Sequence, residues 1–572
     1  MKLVIAEKPS VALSIAKVLG ASKMHDGYLD GGGYVVSWCF GHLLAFADPG
    51  LYDETLKAWS YDTLPIIPDK WLFSVERDKK KQLNLLCDLM KMKEVESIVC
   101  ATDAGREGEL IFRRVYYYSK CNKPIERLWI SSMEDEAIRE GFDHLRSGED
   151  YELLYQAALC RAQADWIVGI NASRLFSVLY KSRLNVGRVM SPTLALMVKR
   201  EADIHSFKSK PFYISEITCG GFTASAERTD DQHTAENIRR ACDGQPAKVA
   251  KIDTHKKTEK PPKLYDLTTL QRECNRIFGF TAQQTLDYLQ SLYEKKLSTY
   301  PRTDSCYLTE DMRDTAEKLI AWLRENTAVG KGFMGNADIT RIMDNKKVTD
   351  HHAIIPTMEI TKCDPAELPK GERCVLELIE ARLLCAVAQP NIYEATTVTL
   401  TCADHAFTAK GKTVLQSGWK EIERRFLSEL KQSADAAEPV LPKLTEEQLF
   451  DYVTASVREG KTTPPKRYTE DTLLSAMETA GAEETPDDAE RKGLGTSATR
   501  ASILEKLVTS GFVERRKKLL IPTQTGINLI RILPDNIKSP LLTAEWESKL
   551  KQIERGELSA EGFMNGITDM IT

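Results

Sequence analysis

SIVCATDAGREGELIFRRVYYY, residues 97–118, predicts a strand, a tight turn and a helix in succession. Ile98–Cys100 are apolar and partly β-branched, which is typical of a buried strand. Asp103–Gly105 supply the turn, and the helical pattern runs from Glu107 to Tyr118. A strand, turn and helix in this order form one unit of an α/β domain.

The start of the chain repeats the same order. Leu3–Ala6 predict a strand, and residues 9–19 predict a helix that Gly20 ends. Two such units predict a mainly parallel sheet, in which functional groups gather at the carboxyl ends of the strands. Glu7 and Asp103 both fall at such ends.

Three carboxylates are predicted to meet at this edge of the sheet: Glu7, Asp103 and Glu107. Three hard oxygen donors in a partly open site suit Mg²⁺, which keeps several waters and bridges to phosphate. The alternative is that Asp103 caps the helix and that Glu107 and Glu109 favour its N-terminal dipole. The pairing of this turn with an early strand that ends in Glu-Lys favours the metal site.

Length and composition bound the class of protein. The chain has 572 residues, more than one hydrophobic core normally supports, so several domains are expected. The net charge is −5, so nucleic-acid binding would require positive charge concentrated on one surface. The 13 cysteines include no C-x-x-C pair, which disfavours a zinc ribbon. With no signal peptide and no apolar stretch of the roughly 20 residues that span a membrane, a cytoplasmic protein is expected.

Helical and strand-like patterns alternate along the rest of the chain. Helices are predicted over 151–201 and 267–296, strands over 212–253 and 396–414, and polar linkers at 254–263 and around 433–442. Because the strand-rich pieces flank a helical region, one β domain interrupted by a helical one is expected. Near the carboxyl end, residues 499–530 fit a winged-helix pattern with a basic hairpin at 515–518. Such folds often bind DNA, although many serve only as packing modules.

A possible nucleophile lies in STYPRTDS, residues 298–305. A tyrosine in a structured turn is usually a core residue, and this is the alternative for Tyr300. Against it stands Arg302, which can clamp a phosphate bidentately. Since a phenol has a pKa of about 10, a tyrosine nucleophile needs a neighbouring cation or base, and Arg302 and Lys8 are candidates.

Two further segments bear on the chemistry. TDHHAIIPT, residues 349–357, holds adjacent histidines, one of which can donate a hydrogen bond to a phosphate; the alternative is that both are polar surface residues. The tripeptides Gly-Lys-Thr at 411–413 and 460–462 lack the preceding glycine of a nucleotide-binding P-loop. If Tyr300 exchanged a nucleic-acid phosphodiester for a tyrosyl phosphodiester, bond energy would be nearly conserved and no nucleotide would be needed.

Taken together, these segments resemble the type IA DNA topoisomerases, and among them the bacterial topoisomerase III group. The matching segments occur in the family's order and span nearly the whole chain: IAEKPSVA, GHLLAFADP, ATDAGREGELI, RAQADWIVGINASR, NVGRVMSPTLALMVKRE, LYDLTTLQRECNRIFGF, LYEKKLSTYPRTDS, HHAIIPT, GLGTSATRASILEKL and LTAEWE.

The resemblance implies an α/β multi-domain protein with four domains in a toroid. These are a Toprim domain over 1–148, a winged-helix-like helical domain over 149–212 with 443–572, a β arch over 213–270 with 390–442, and a tyrosine-bearing domain over 271–389. It also implies an ATP-independent, monomeric enzyme that forms a 5′-phosphotyrosyl link, passes a second strand and reseals.

The resemblance further implies roles for individual residues. Tyr300 would be the nucleophile, Arg302 its phosphate partner, and Glu7 a metal ligand and general acid. Lys8 would stabilise transition-state charge, and His351 would orient the phosphate. Glu7, Asp103 and Glu107 would hold Mg²⁺. The groove for single-stranded DNA would be lined by Arg161, Asp165, Arg174, Gly187, Arg188, Val189, Met190, Ser191 and Asp304.

Two positions depart from the family pattern, and two rival functions are disfavoured by the tyrosine segment 298–305 and by the presence of Glu7, Lys8 and Asp103 beside it in the motifs. Gly105 replaces the second Asp of Asp-x-Asp-x-Glu, so a second metal ion is in doubt and Mg²⁺ dependence should be greater; Met190 replaces the usual Gln.

Another Toprim enzyme, such as a primase or nuclease, would need no tyrosine nucleophile. A non-catalytic DNA-binding protein would leave linking number unchanged. The motifs do not distinguish relaxation from decatenation.

Overall fold

The computed structural model describes residues 1–130, 133, 135–348, 351–430, 441–481 and 493–572. Two seven-stranded sheets and a large set of helices form the protein. None of the helices within these ranges combines the length and apolar character needed to cross a membrane.

The amino-terminal sheet has a parallel centre and antiparallel edges. Its neighbourhood contains β1 Lys2–Ala6, α1 Pro9–Leu19, β2 Lys23–His25, β3 Tyr28–Gly31, β4 Tyr34–Trp38, β5 Ala45–Phe46, β6 Phe73–Ser74, α2 Lys80–Lys91, β7 Ser97–Ala101, α3 Arg106–Tyr118, β8 Ile125–Arg127, α4 Asp135–Asp143 and β9 Arg146–Ser147. The strand order is β2-β3-β4-β1-β7-β8-β9, with β4, β1, β7 and β8 parallel. The predicted parallel arrangement is confirmed for these central strands, and β1 and β7 are buried on both faces as parallel strands usually are.

Two helices lead away from this sheet: α5 Glu152–Tyr180 and α6 Met190–Ser206. They confirm the helical pattern predicted over 151–201 and leave residues 181–189 as the connection between them. The side chain of α5 residue Asn171 exchanges hydrogen bonds with the backbone of Ile66, which fixes the helix against the amino-terminal region.

The second sheet is antiparallel and draws its strands from both sides of a helical region. It contains β10 Pro211–Cys219, β11 Phe222–Ser225, β12 Ala247–Glu259, β13 Asn391–Cys402, β14 His405–Gln416, β15 Leu449–Phe450 and β16 Thr454–Lys461, and α7 Gln232–Cys242 packs on it. The linker predicted at 254–263 is wrong for its first six residues, because β12 continues to Glu259 paired with β13. Both faces of this part of the strand are largely exposed, so it shows no apolar alternation. Most of the linker predicted at 433–442 lies outside the described residues.

The helical region between β12 and β13 carries the tyrosine segment. The helix that follows β14 is grouped with this region. Together they consist of α8 Leu267–Phe278, α9 Ala282–Glu294, α10 Arg313–Asn326, α11 Lys370–Val387 and α12 Trp419–Glu429. Capping boxes at Asp266 and Thr281 begin α8 and α9. The loop after α9 leads directly into Ser298–Thr303, so the position of Tyr300 is set by a well-capped helix pair.

The carboxyl-terminal region packs up to Leu533 into the same large core as those helices, whereas its last two helices form a separate core with α5. Its elements are α13 Glu470–Thr479, α14 Ser497–Thr509, β17 Val513–Arg516, β18 Leu519–Pro522, α15 Gln524–Ile532, α16 Asp535–Lys538, α17 Leu541–Glu554 and α18 Ala560–Ile571. The helix, hairpin and helix predicted for the winged-helix pattern are present. However, Arg515 of the hairpin pairs with Glu470 and Glu505, and Lys518 donates to the carbonyl of Arg276. These two cations therefore serve packing.

Candidate active site

The edge of the amino-terminal sheet brings two acidic residues together. β1 and β7 are parallel neighbours with Ala6 opposite Ala101, so the residues that follow them emerge side by side. Glu7 Oε2 accepts a hydrogen bond of 3.4 Å from the backbone N–H of Asp103. The juxtaposition follows directly from the register of the two strands.

A buried arginine fixes the turn that carries Asp103. Arg127 is fully buried, and its guanidinium donates to the carbonyls of Cys100, Thr102 and Asp103 at 3.1, 2.7 and 2.7 Å. Its Nε lies 3.1 Å from Glu109 Oε2, which is also fully buried. Glu109 is thus a structural anion for Arg127, a stronger constraint than the dipole contact expected from the sequence.

Replacing Arg127 with alanine is expected to lower the free energy of unfolding by about 3–5 kcal/mol, because it leaves the buried carbonyls that Arg127 contacts without a donor and removes one of the two guanidinium partners of Glu109, the other being Arg113. Chemical denaturation followed by far-UV circular dichroism measures the change. Arg77, which is exposed on the same part of the chain, gives the matched control; Arg77→Ala should stay within about 0.5 kcal/mol of wild type. Equal stability of the two variants would show that Arg127 does not brace the turn.

Two separate segments pair to set Tyr300 beside His351. The backbone N–H of Thr299 donates to the carbonyl of Ile355 at 3.0 Å, and Thr303 Oγ1 donates to the carbonyl of His351 at 2.9 Å. The rings of Tyr300 and His351 are consequently 4.1 Å apart. Tyr300 and His351, predicted from segments about fifty residues apart, are brought into contact in this way.

The hydroxyl of Tyr300 donates a hydrogen bond to Asp103 Oδ2, across the junction between the sheet and the helical region. The ring is 7% exposed and packs edge-on against Tyr293 at 5.5 Å. Burial, and then the carboxylates of Asp103 and Glu7, raise the pKa of Tyr300 well above its usual value. Tyr300 is therefore a neutral phenol whose proton points at a carboxylate.

Two cations lie in the same cavity as this phenol. Lys8 and Arg302 line a cavity of about 820 Å³ with Glu7, Asp103 and Tyr300. Burial, and then the charge of Arg302, lower the pKa of the Lys8 ammonium. An anion bound beside Lys8 would offset this effect and favour the charged ammonium.

Burial also sets the protonation of the neighbouring acid and imidazole. It raises the pKa of Glu7 to about 8, with Asp103 adding to the effect. It lowers the pKa of His351 to about 4. At neutral pH, Glu7 therefore carries a proton and His351 is neutral.

His352 has a structural position. Its Nδ1 lies 2.9 Å from the carbonyl of Ala353, and the side chain is buried. Because His351 is buried as well, the alternative that both histidines are surface residues is wrong.

Glu107, the third predicted metal ligand, lines the same cavity but binds His42, whose Nε2 is 2.5 Å from its Oε1. Burial opposes ionisation, yet the hydrogen bond from His42 and nearby guanidinium groups hold the pKa of Glu107 below its usual range. Within the described residues, no three His, Cys, Asp or Glu side chains converge as a ready ligand set. One cavity is lined by three carboxylates, Glu7, Asp103 and Glu107, whose oxygens are of the kind that Mg²⁺ prefers. In this structure Asp103 is hydrogen-bonded to Tyr300 and Glu107 to His42. Gly105 caps α3 with a φ of 158°, a conformation that favours glycine.

Three of the predicted groove residues meet in one ion-pair network. Arg188 Nε lies 3.0 Å from Asp165 Oδ1, and Arg161 Nε lies 4.0 Å from Asp165 Oδ2. Both arginines also approach Glu547, at 3.8 and 3.9 Å. Neither Glu547 nor His42 was predicted as a site residue, although both lie in segments that carry the family resemblance.

The remaining predicted groove residues have defined surroundings. Arg174 donates to the carbonyl of Leu56 at 2.7 Å. The turn before α6 is closed by Ser191, whose Oγ accepts from the N–H of Gly187 at 3.2 Å. Met190 and Ser191 are buried, Val189 is partly buried and adjoins Arg188, and Asp304 lines the cavity that holds Tyr300.

Comparisons with known proteins agree with this architecture. A family model described as DNA topoisomerase matches residues 149–565, and a Toprim domain model matches residues 2–133. The acidic residues Glu7, Asp103 and Glu107 all fall within the Toprim match, and Toprim domains typically bind Mg²⁺.

Relatives and a solved structure extend the likeness over the whole chain. The chain is 40% identical to DNA topoisomerase 3 of Bacillus licheniformis, over 98% of this chain and 79% of the relative. It is also 40% identical to DNA topoisomerase 3 of Bacillus subtilis, over 98% and 80%. Full-length topoisomerase I from Thermotoga maritima shares the fold, with a TM-score of 0.75, 24% identity, and coverage of 99% of this chain and 89% of that chain. The chain belongs to the type IA DNA topoisomerase family, with a Toprim domain in its amino-terminal part.

Proposed function

We propose that Tyr300 attacks a phosphodiester of a single-stranded DNA segment and becomes linked to its 5′ phosphate. The bond between phosphorus and the 3′ oxygen breaks, a second strand passes through the gap, and the released 3′-hydroxyl reseals the break. The observation that carries the proposal is the hydrogen bond from the Tyr300 hydroxyl to Asp103, in a cavity shared with Glu7, Lys8 and Arg302.

The proton movements follow from the same contacts. The phenol proton leaves along its hydrogen bond to Asp103 Oδ2 as the oxygen bonds to phosphorus. Glu7, which is protonated at neutral pH, gives its proton to the leaving 3′ oxygen. Resealing reverses both transfers, so the acid and the base are restored after each cycle.

Charge stabilisation falls to the cations of the cavity. Lys8 and Arg302 would hold the phosphate and offset the negative charge that develops on it. His351, as a neutral imidazole, would donate a hydrogen bond to a phosphate oxygen. Mg²⁺ held by Asp103 and Glu107, and by Glu7 in its ionised form, would supply further positive charge beside the phosphate.

The single strand would reach the cavity along a groove at α5 and the turn before α6. Arg161 and Arg188 would contact the phosphates, while Gly187 and Ser191 fix the turn that presents Arg188. Arg174 and Asp304 would line the same groove. We propose that the enzyme acts as a monomer in the cytoplasm, as the family resemblance implies.

No nucleotide is required by this chemistry. The Gly-Lys-Thr tripeptides that superficially suggest phosphate binding lie in or at the end of strands β14 and β16, where no glycine-rich turn leads into a helix. Incubation with negatively supercoiled plasmid and Mg²⁺, without ATP, is expected to give stepwise relaxation. A protein that binds the plasmid but leaves its linking number unchanged would contradict the proposal.

Removing Mg²⁺ with excess chelator is expected to reduce relaxation to background. Three carboxylates replace the four of the family pattern, so Mg²⁺ binding should be weaker and activity should depend more strongly on free Mg²⁺. Binding of a single-stranded oligonucleotide in the same buffer should persist, since the groove arginines need no metal. Relaxation assays and fluorescence anisotropy measure the two properties. Full relaxation in excess chelator would show that the carboxylates act without a metal.

A further inference from the structure

The carboxylate of Glu547 is surrounded by three guanidinium groups from three different parts of the chain. Arg106, at the start of α3, lies 3.0 Å away; Arg161, on α5, lies 3.9 Å away; and Arg188, before α6, lies 3.8 Å away. The side chain of Glu547 is only 12% exposed. Although burial opposes ionisation, Arg161, Arg106 and Arg188 hold its pKa at about 2, so it is an anion at all ordinary pH values.

The network around Glu547 matches three guanidinium groups with three carboxylates, and Lys551 also pairs with Glu554 at 3.6 Å. Its guanidinium groups belong to Arg106, Arg161 and Arg188, and its carboxylates to Asp165, Glu547 and Glu554. An arginine whose charge is neutralised by a carboxylate of the protein attracts a phosphate only weakly. Two of these arginines are nevertheless the ones expected to contact DNA.

One donor in this network is left over. Arg188 Nη1 is buried and has no hydrogen-bond partner among the residues that the structure describes, while its Nε binds Asp165 and its Nη2 approaches Glu547. The Arg188 guanidinium also lies over the Trp546 ring at 4.8 Å, which limits its freedom to turn. An unused buried donor beside a carboxylate indicates a site arranged for one more acceptor.

We propose that Glu547 is a positioning residue that holds Arg161 and Arg188 in the empty groove as an internal counter-anion. A DNA phosphate takes over this charge when the single strand binds. The inference rests on the proposed function, because it takes Arg161 and Arg188 as phosphate contacts. The internal counter-anion lowers the affinity of the groove for DNA, which lets strands leave after resealing.

Neutralising Glu547 should therefore strengthen DNA binding. In Glu547→Gln, the guanidinium groups repel one another until a phosphate arrives, so the variant should bind a single-stranded oligonucleotide about tenfold more tightly at low salt. The logarithmic salt dependence should steepen by roughly 0.7 for one additional phosphate neutralised. A residue needed only for packing would weaken binding and leave this slope unchanged.

The test is fluorescence anisotropy with a labelled single-stranded oligonucleotide over a series of salt concentrations, in chelator and in a Tyr300→Phe background that cannot cleave. Glu545→Gln is the matched control, since Glu545 is exposed on the same helix; it should match the parent. Glu547→Asp keeps the charge and should restore the parent slope. Asp165→Asn, whose carboxylate is 42% exposed, should also steepen the slope and replaces Glu547→Gln if that variant does not fold.

The outcomes separate the inference from the proposed function. Tighter binding with a steeper slope in Glu547→Gln, reversed in Glu547→Asp, supports it. If the parent binds the oligonucleotide and the neutralised variants bind equally or more weakly, the inference is overturned while the proposed function stands. If the parent does not bind the oligonucleotide, the groove assignment and the inference are both overturned.

Discussion

Tyr300→Phe is expected to abolish plasmid relaxation, with a loss of roughly 10³-fold or more, as removal of a catalytic nucleophile generally causes. The substitution removes one oxygen, the atom proposed to bond to phosphorus, and keeps the ring that packs against Tyr293 and His351. Stability should fall by only about 1 kcal/mol, for the lost hydrogen bond to Asp103. Loss of activity without loss of fold would therefore report on chemistry.

Tyr293→Phe is the matched control for this substitution. It removes a second buried hydroxyl beside the first and leaves the edge-on ring packing in place. Relaxation by Tyr293→Phe should stay close to wild type. Relaxation that survives in Tyr300→Phe, or fails equally in both variants, would remove Tyr300 from the role of nucleophile.

Arg302→Ala is expected to lower the relaxation rate by about 10²–10³-fold, the usual effect of deleting one group that stabilises transition-state charge. Arg302 shares the cavity with Tyr300 and Lys8, and its Nη1 donates to Gln290 Oε1 at 3.4 Å, which orients the guanidinium. Arg302→Lys should recover only part of the rate, because an ammonium cannot reproduce a bidentate contact.

Initial rates of relaxation under enzyme excess measure this effect directly. Arg313→Ala is the matched control, since Arg313 belongs to the same helical region and pairs with Glu310 outside the cavity. An unchanged rate in Arg302→Ala would exclude Arg302 from the chemistry. An equal loss in the control would indicate a general disturbance of this region.

The edge of the amino-terminal sheet was predictable because its signals are local. An apolar strand followed by a turn and a helix occurs twice, so parallel pairing of β1 and β7 places Glu7 and Asp103 side by side. The metal chemistry also depends on rotamers, which a sequence does not contain. Asp103 is hydrogen-bonded to Tyr300 and Glu107 to His42, partners that lie far away along the chain.

Other features escaped prediction for equally physical reasons. The strand β12 continues through Thr254–Glu259 with both faces exposed, so its apolar alternation is lost and it resembles a linker. Glu547 is separated by more than 300 residues from each arginine that surrounds it, so only the folded chain shows that it is buried among cations. Patterns along the chain predict elements, whereas ion-pair networks depend on how those elements meet.

The covalent link between Tyr300 and DNA gives the most direct test of the proposed mechanism. A single-stranded oligonucleotide labelled at either its 5′ or its 3′ end is incubated with the protein and Mg²⁺, stopped with denaturant, and the attached peptide is identified by mass spectrometry. The proposed mechanism predicts that the 3′ label stays with the protein through Tyr300, while the 5′ label leaves on a fragment with a free 3′-hydroxyl. Attachment through another residue, retention of the 5′ label, or cleavage without any adduct would contradict it.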